Sequence, residues 1–296
     1  MLGAGGVGLA LAAELARSGG DVTLVMREPT LAAYEGAVRV RRPSGEDTAT
    51  PVPAVAVLAE PVDVLWIAVK EPQLASALRT VTPDSVTGAL VVPLLNGVDH
   101  MPFLQGEFGD RAAVGAIRVE AWRAAVGEVV RESLFMEIEL AAPRGHARDA
   151  LAADLKKAGI GLRVTGDAES DRLGVLWRKL VVLAPLALAT TGAGGPVEAV
   201  RRDSAMDELM KDCAREACAV ATALGARIDA DRTVRLLDLL PGRTTSSLER
   251  DLREGSLGEL DAIGGAVLRA GTRTGVPTPA TRTLVDRARR LHAAAR

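Results

Sequence analysis

Short apolar runs alternate with amphipathic stretches along the first half of the chain. Residues 21–26 and 62–69 read as strands, the second an almost unbroken apolar run of the kind buried on both faces of a parallel sheet. Residues 73–81 fit a short helix, and 89–93 a further strand that ends at Leu95-Asn96-Gly97. Between 112 and 140 the texture changes to runs at 113–118, 128–130 and 135–140 separated by turns, which predicts antiparallel strands added to the parallel sheet. A helix over 149–158 and a strand over 162–164 follow. From about Gly166 helical periodicity dominates, over 170–188, 205–224, 230–239, 247–254, 260–272 and 279–293. Glycine and proline interrupt it at 191–196 and 240–243. The pattern predicts an α/β domain over residues 1–166 and an all-helical domain over 167–296.

The turn that opens the chain narrows the α/β class. Gly3, Ala4, Gly5, Gly6, Val7 and Gly8 form a glycine fingerprint between a strand position and a helix. In such a turn the first glycine permits the tight bend, the second lets backbone approach a pyrophosphate, and the third lets helix and sheet pack closely. The phosphates then sit on free N–H groups at the helix N-terminus. The following strand–turn–helix–strand order predicts a Rossmann-type nucleotide-binding domain; the bland alternative is an Ala/Gly-rich helix start. Only Met1 and Leu2 precede Gly3, whereas this fold places a buried central strand of about five residues there. The first strand is therefore expected to be truncated, which favours a start upstream of Met1 over a crippled sheet.

Several polar residues stand at strand ends, where open α/β sheets bind ligands. Arg27 ends the second strand, and an arginine there accommodates the 2′-phosphate of NADP, although Glu28 follows it directly. Lys70, one of five lysines in an arginine-rich chain, ends the strand containing Trp66. Asn96, the only asparagine, stands at the next strand end before Gly97 and reads either as a turn residue or as a ligand contact. In the helical half, Lys179 lies at the margin of an apolar helix face. It is either a snorkelling surface lysine or an ammonium in a partly dry cleft, where its pKa would fall and it could donate a proton. Ser246 and Glu249 fit a capping box, which puts Ser247 in a first helical turn, where free N–H groups favour a carboxylate. Glu259 by itself reads as a first-turn glutamate.

Composition removes other classes. With 48% hydrophobic and 25% charged residues and a net charge of −2, the chain reads as an ordinary globular protein and not as a nucleic-acid binder. No uninterrupted apolar run approaches a membrane span and no signal peptide is evident, so a cytoplasmic location is expected. Cys213 and Cys218 have neither metal nor redox spacing, and His100, His146 and His292 lie far apart, which argues against a metal site or a Ser–His–Asp triad.

As an ordered set, the glycine fingerprint, Arg27, Lys70, Leu95-Asn96-Gly97, Trp177-Arg178-Lys179-Leu180, Ser246-Ser247 with Asp251, and Gly258-Glu259-Leu260-Asp261 resemble the ketopantoate reductase (2-dehydropantoate 2-reductase) family over nearly the whole chain. The resemblance implies an NADPH-dependent reduction of a small 2-keto acid to a 2-hydroxy acid, as in pantothenate biosynthesis. It assigns Lys179 as proton donor and Glu259 as the acid that orients it. Ser247 and Asn96 would hold the substrate carboxylate. Gly3 to Gly8, Arg27, Lys70, Asn96 and the backbone of Ala121 would contact NADP. A homodimer is compatible with the helical half, whose faces do not single out an interface.

One departure stands out. The family's two substrate asparagines on the lysine helix correspond to Leu183 and Ala187, or to Ala184-Pro185-Leu186 with a gap, and no asparagine exists there under either alignment. Later family asparagines correspond to Val197 and Gly264, and Pro185 is expected to kink the helix. The implied pocket is more apolar than ketopantoate requires. Two alternatives follow, an NADP-dependent reductase of another ketone or imine and a non-catalytic NADP-binding sensor.

Overall fold

A computed structural model describes residues 1–294. The chain divides into two compact units, Met1–Leu95 with His100–Asp167, and Asn96–Asp99 with the residues from Ala168 onward. The first unit runs α1 (Gly6–Arg17), β1 (Leu24–Val25), α2 (Glu28–Ala32), β2 (Ala37–Arg41), β3 (Thr48–Pro51), β4 (Ala54–Val55), β5 (Val64–Ile67), α3 (Leu74–Leu78), β6 (Leu90–Pro93), α4 (His100–Phe108), β7 (Val114–Arg118), β8 (Ala121–Ala125), β9 (Glu128–Arg131), β10 (Glu137–Ala141), α5 (His146–Lys157) and β11 (Gly161–Thr165).

Its main sheet is doubly wound about Leu2. Leu2 bridges Val25 on one side and Ile67 on the other, both parallel. β1 continues to β4 and β5 to β6, again parallel. Val91 of β6 bridges Ala112 just ahead of β7, after which β10 adds antiparallel and β11 parallel to β10. The strand order thus reverses at Leu2, which creates the crevice where such sheets bind ligands. Side chains alternate across it with a period of two. Met1, Leu24, Met26, Trp66, Leu90 and Val92 enter one core, and Leu2, Val25, Leu65, Ile67 and Val91 the other. Met1 and Leu2 occupy the expected central strand position, with the Leu2 N–H donating to Trp66 O at 2.8 Å and the Val25 N–H to Met1 O at 2.8 Å.

A second sheet, β3-β2-β9-β8, packs against α1 and was foreshadowed only by the run at 128–130. Val38 and Val40 of β2 and Val129 of β9 share a core with Leu9, Ala12 and Ala13 of α1. Glu14 of α1 is buried at this contact and held by Arg42 at 2.6 Å, Arg17 at 2.6 Å and Arg131 at 3.1 Å. Burial pushes its carboxyl up, but hydrogen bonds from Arg42 and Arg17 more than offset this and leave it below the usual glutamate value.

The second unit is helical: α6 (Glu169–Ala193), α7 (Val197–Arg202), α8 (Ser204–Ala223), α9 (Ala230–Asp238), α10 (Ser247–Arg253), α11 (Ala266–Thr274) and α12 (Pro279–Ala294). α6 is its axis, packed on α8, α10 and α12. By length and hydropathy (1.6 over its most apolar window) α6 could cross a bilayer, but two-thirds of that window is buried here. Trp177, Leu180, Val181, Ala184 and Leu188 make it the core helix of this unit. The helix runs on through Pro185 and stops at Gly194, within the break expected over 191–196, where a φ of +67° ends it.

Candidate active site

The glycine turn of the first unit separates two reasons for having no side chain. A Cβ at Gly3 would stand 2.8 Å from Val69 Cγ1, and one at Gly8 would overlap Gly3 O. A Cβ at Gly6 would overlap the backbone at Ala121-Trp122, so α1 begins directly against β8. These three glycines are required by the protein itself. Gly5 is different, because a Cβ there would meet only Ala68 O, at 3.9 Å. Gly5 is the N-cap of α1, no side chain caps it, and no acidic residue occupies the first turn. An open approach to uncapped N–H groups fits the pyrophosphate of a dinucleotide. Arg27 and Lys70, both exposed, lie two and three residues beyond the ends of β1 and β5, the two strands flanking Leu2. The Ala121 carbonyl lies against Gly6, where a Cβ would overlap it.

The second unit brings together three residues distant in sequence. Lys179 of α6 donates from Nζ to Asn96 Oδ1 at 2.7 Å, and Asn96 Nδ2 donates to Glu259 Oε2 at 2.8 Å. All three are half-buried. One amide thus joins an ammonium to a carboxylate, and the sense of its two bonds follows from charge, since the ammonium only donates and the ionised carboxylate only accepts. Asn96 lies on the short strap 96–99. Gly97 has φ +83°, and a Cβ on it would overlap Ala262 O. Ala262 sits in a π turn, Asp261–Gly265, that begins two residues after Glu259 and leads into α11. Glycine at 97 therefore lets the strap press against the turn beside Glu259.

The other expected residues are placed less decisively. Ser246 caps α10 by accepting from Glu249 N at 3.1 Å, as expected. The Glu249 carboxylate, however, accepts from Thr245 Oγ1 at 3.0 Å and pairs with Arg253, so its side chain has other partners than a capping box provides. Ser247 stands exposed in the first turn of α10. Leu183 is half-buried, whereas Ala187 and Val197 are fully buried. Gly264 faces the core, since a Cβ there would lie 2.5 Å from Val285 Cγ2 and 3.1 Å from Leu188 Cδ2. That position has no room for a side chain.

The sequence singled out neither Asp99 nor Arg269, and Asp261 only as the last residue of the Gly258–Asp261 motif; the three form a cluster of their own. Arg269 donates from Nε and Nη2 to Asp99 Oδ2, at 3.0 and 2.7 Å, and from Nη1 to Asp261 Oδ1 at 2.9 Å. The only signal was an acid at the start of a helical run, and the arginine was hidden among many.

The N-terminal family model "Ketopantoate reductase PanE/ApbA" matches residues 1–143, and "Ketopantoate reductase PanE/ApbA C terminal" matches residues 171–292. The chain belongs to the ketopantoate reductase family. Among family relatives, a 2-dehydropantoate 2-reductase of Mycobacterium tuberculosis is 31% identical over 96% of this chain and 94% of its own length. The crystal structure of a PanE/ApbA family ketopantoate reductase from Ralstonia eutropha JMP134 superposes with a TM-score of 0.86 at 28% identity, covering 99% of this chain and 97% of that one. A D-mandelate dehydrogenase, solved with NADH and anilino(oxo)acetate, shares the ketopantoate reductase fold at a TM-score of 0.85 and 20% identity, over 99% of this chain and 97% of its own.

Proposed function

We propose that the chain reduces a 2-keto acid to the 2-hydroxy acid with NADPH. In this reading residues 1–166 hold the dinucleotide, and residues 167–296, together with Asn96 of the strap 96–99, carry the acid–base and substrate groups. The observation that carries it is the Lys179–Asn96–Glu259 series, which fixes a proton-bearing group at the end of a hydrogen-bonded chain. The glycine turn Gly3–Gly8, with Arg27 and Lys70, would hold the dinucleotide, whose nicotinamide would supply the hydride for the keto carbon. Lys179 Nζ gives a proton to the keto oxygen as negative charge develops there, a charge that exists mainly in the transition state. Asn96 Oδ1 accepts from Nζ and so limits where the ammonium can point. Glu259 accepts from Asn96 Nδ2 and keeps the amide from turning over. Ser247, at the first turn of α10, presents a hydroxyl and nearby N–H groups to the substrate carboxylate.

Arg27 supports NADPH over NADH, because a guanidinium beyond β1 can pair with a 2′-phosphate, even with the Glu28 carboxylate beside it. Leu183 and Ala187 support a substrate with a more apolar side chain than ketopantoate, since a buried site cannot hydrogen-bond a substrate hydroxyl without polar partners. The shared fold leaves the identity of the acid open, as the D-mandelate dehydrogenase illustrates. Steady-state kinetics on a panel of 2-keto acids, with NADPH and NADH in parallel, tests both points. An apolar 2-keto acid with NADPH is the expected best pair. Ketopantoate emerging as clearly best would overturn the apolar pocket and favour a role in cytoplasmic pantothenate biosynthesis. NADPH binding with no turnover of any keto acid, ketone or imine would favour a non-catalytic sensor.

A further inference from the structure

We propose that Arg269 is a positioning residue that sets the geometry of the Lys179–Asn96–Glu259 series; this rests on the catalytic role proposed for Lys179. Asn96, which bonds both Lys179 and Glu259, lies on the strap 96–99, whereas Glu259 lies on a separate segment, the loop before the π turn. The 2.8 Å bond between them, and with it the 2.7 Å bond from Lys179 to Asn96, holds only while both segments keep their places. One guanidinium spans the two. Its Nε and Nη2 donate to Asp99 Oδ2, three residues after Asn96, at 3.0 and 2.7 Å. Its Nη1 donates to both carboxylate oxygens of Asp261, two residues after Glu259, at 2.9 and 3.0 Å. Nη2 also reaches the Asp261 carbonyl at 3.0 Å.

The local backbone is shaped for this clamp. The π turn carries the Ala266 N–H back to Asp261 O, a wider loop than an α-turn, and Arg269 donates to that same carbonyl. A Cβ at Gly265 would lie 2.5 Å from Asp261 Oδ1 and 2.9 Å from Arg269 Nη1, so glycine there makes room for the ion pair. On the other side Gly97 lets the strap reach Ala262. An exposed ion pair seldom stabilises a protein much, and Asp261 is 74% exposed. Asp99, at 22%, is better shielded, and the planar fork is what a lysine could not reproduce. The clamp therefore bears on alignment more than on stability.

The test uses Arg269→Ala, Arg269→Lys and, as a stability control, Arg201→Ala, which removes a guanidinium bonded to the carbonyls of Leu237, Asp238 and Leu240. Arg269→Ala is expected to lower kcat for the best 2-keto acid about 10- to 100-fold, as a misalignment of order 1 Å does. KM for NADPH should stay within about two-fold, because the glycine turn belongs to the other unit. The basic limb of the kcat profile should move to lower pH, since an ammonium that loses an acceptor is less favoured. Arg269→Lys should recover part of kcat, and Arg201→Ala should lower Tm with kcat unchanged. Unchanged kcat and pH profile in Arg269→Ala would overturn the proposal. Should the wild-type protein reduce no keto acid, the catalytic reading fails by itself and crystal structures of Arg269→Ala decide the positioning claim. Loss of either Asn96 bond supports it, and retention of both overturns it.

Discussion

Gly97→Ala separates the cost of backbone conformation from the cost of a blocked contact. Residue 97 has φ +83°, a region that charges an L side chain about 1–2 kcal/mol. The new methyl would also overlap Ala262 O, which is backbone inside a hydrogen-bonded turn and cannot swing away. Overpacking of that kind costs about 1–3 kcal/mol more. The sum is about 2–5 kcal/mol. Gly275→Ala is the matched control, with φ +72° and nothing within 4 Å of its Cβ, so it carries the conformational cost alone. Both substitutions also stiffen the unfolded chain by a similar amount, which cancels in the comparison. Chemical unfolding of the two variants should place Gly97→Ala about 1–3 kcal/mol below Gly275→Ala. Because relief of the overlap moves the strap, kcat of Gly97→Ala should fall about 100-fold while that of Gly275→Ala stays near wild type. Equal stabilities, or an unchanged kcat in Gly97→Ala, would refute the claim that the strap is seated against the π turn to place Asn96.

Further expectations follow from the same geometry. Gly5→Ala should leave Tm unchanged, since its Cβ meets only Ala68 O at 3.9 Å, yet weaken NADPH binding at least about 10-fold in a fluorescence titration. Gly8→Ala, whose methyl would overlap Gly3 O, should lose stability first. Arg27→Ala should lower kcat/KM for NADPH about 10- to 100-fold and leave NADH nearly untouched, the value of a hydrogen bond to a charged group. Leu183→Asn should be tolerated at its half-buried site and improve the ratio of ketopantoate to apolar keto acids, whereas Ala187→Asn should cost about 1–3 kcal/mol by burying an amide.

Much of the fold was legible because a parallel sheet buried on both faces and a helix buried on one leave different periods in the sequence. The run containing Leu65, Trp66 and Ile67 shows this for β5, and Met206, Met210, Cys213, Ala217 and Ala221 show it for α8. Short elements with one wet face were missed. β2 reads Ala-Val-Arg-Val-Arg, with Val38 and Val40 buried and the arginines out, and α7 is only Val197–Arg202. The break expected over 191–196 falls at Gly194, whose left-handed φ of +67° ends α6, so Thr191–Ala193 stay in the helix. At the site, single residues were legible and their arrangement was not. Asn96 and Glu259 lie 163 residues apart, and nothing local to Asn-Gly says that its amide will join a lysine to a glutamate. The role expected for Arg269 was invisible for the same reason, since its partners Asp99 and Asp261 become neighbours only once the strap is seated.

The most direct measurement is the paired behaviour of Lys179→Ala, NADPH affinity by fluorescence titration and kcat on the best 2-keto acid. NADPH should bind as in the wild-type protein, and kcat should fall about 100- to 10,000-fold, the usual worth of a positioned general acid. A Lys179→Ala variant that binds NADPH and turns over at the full rate would contradict the account.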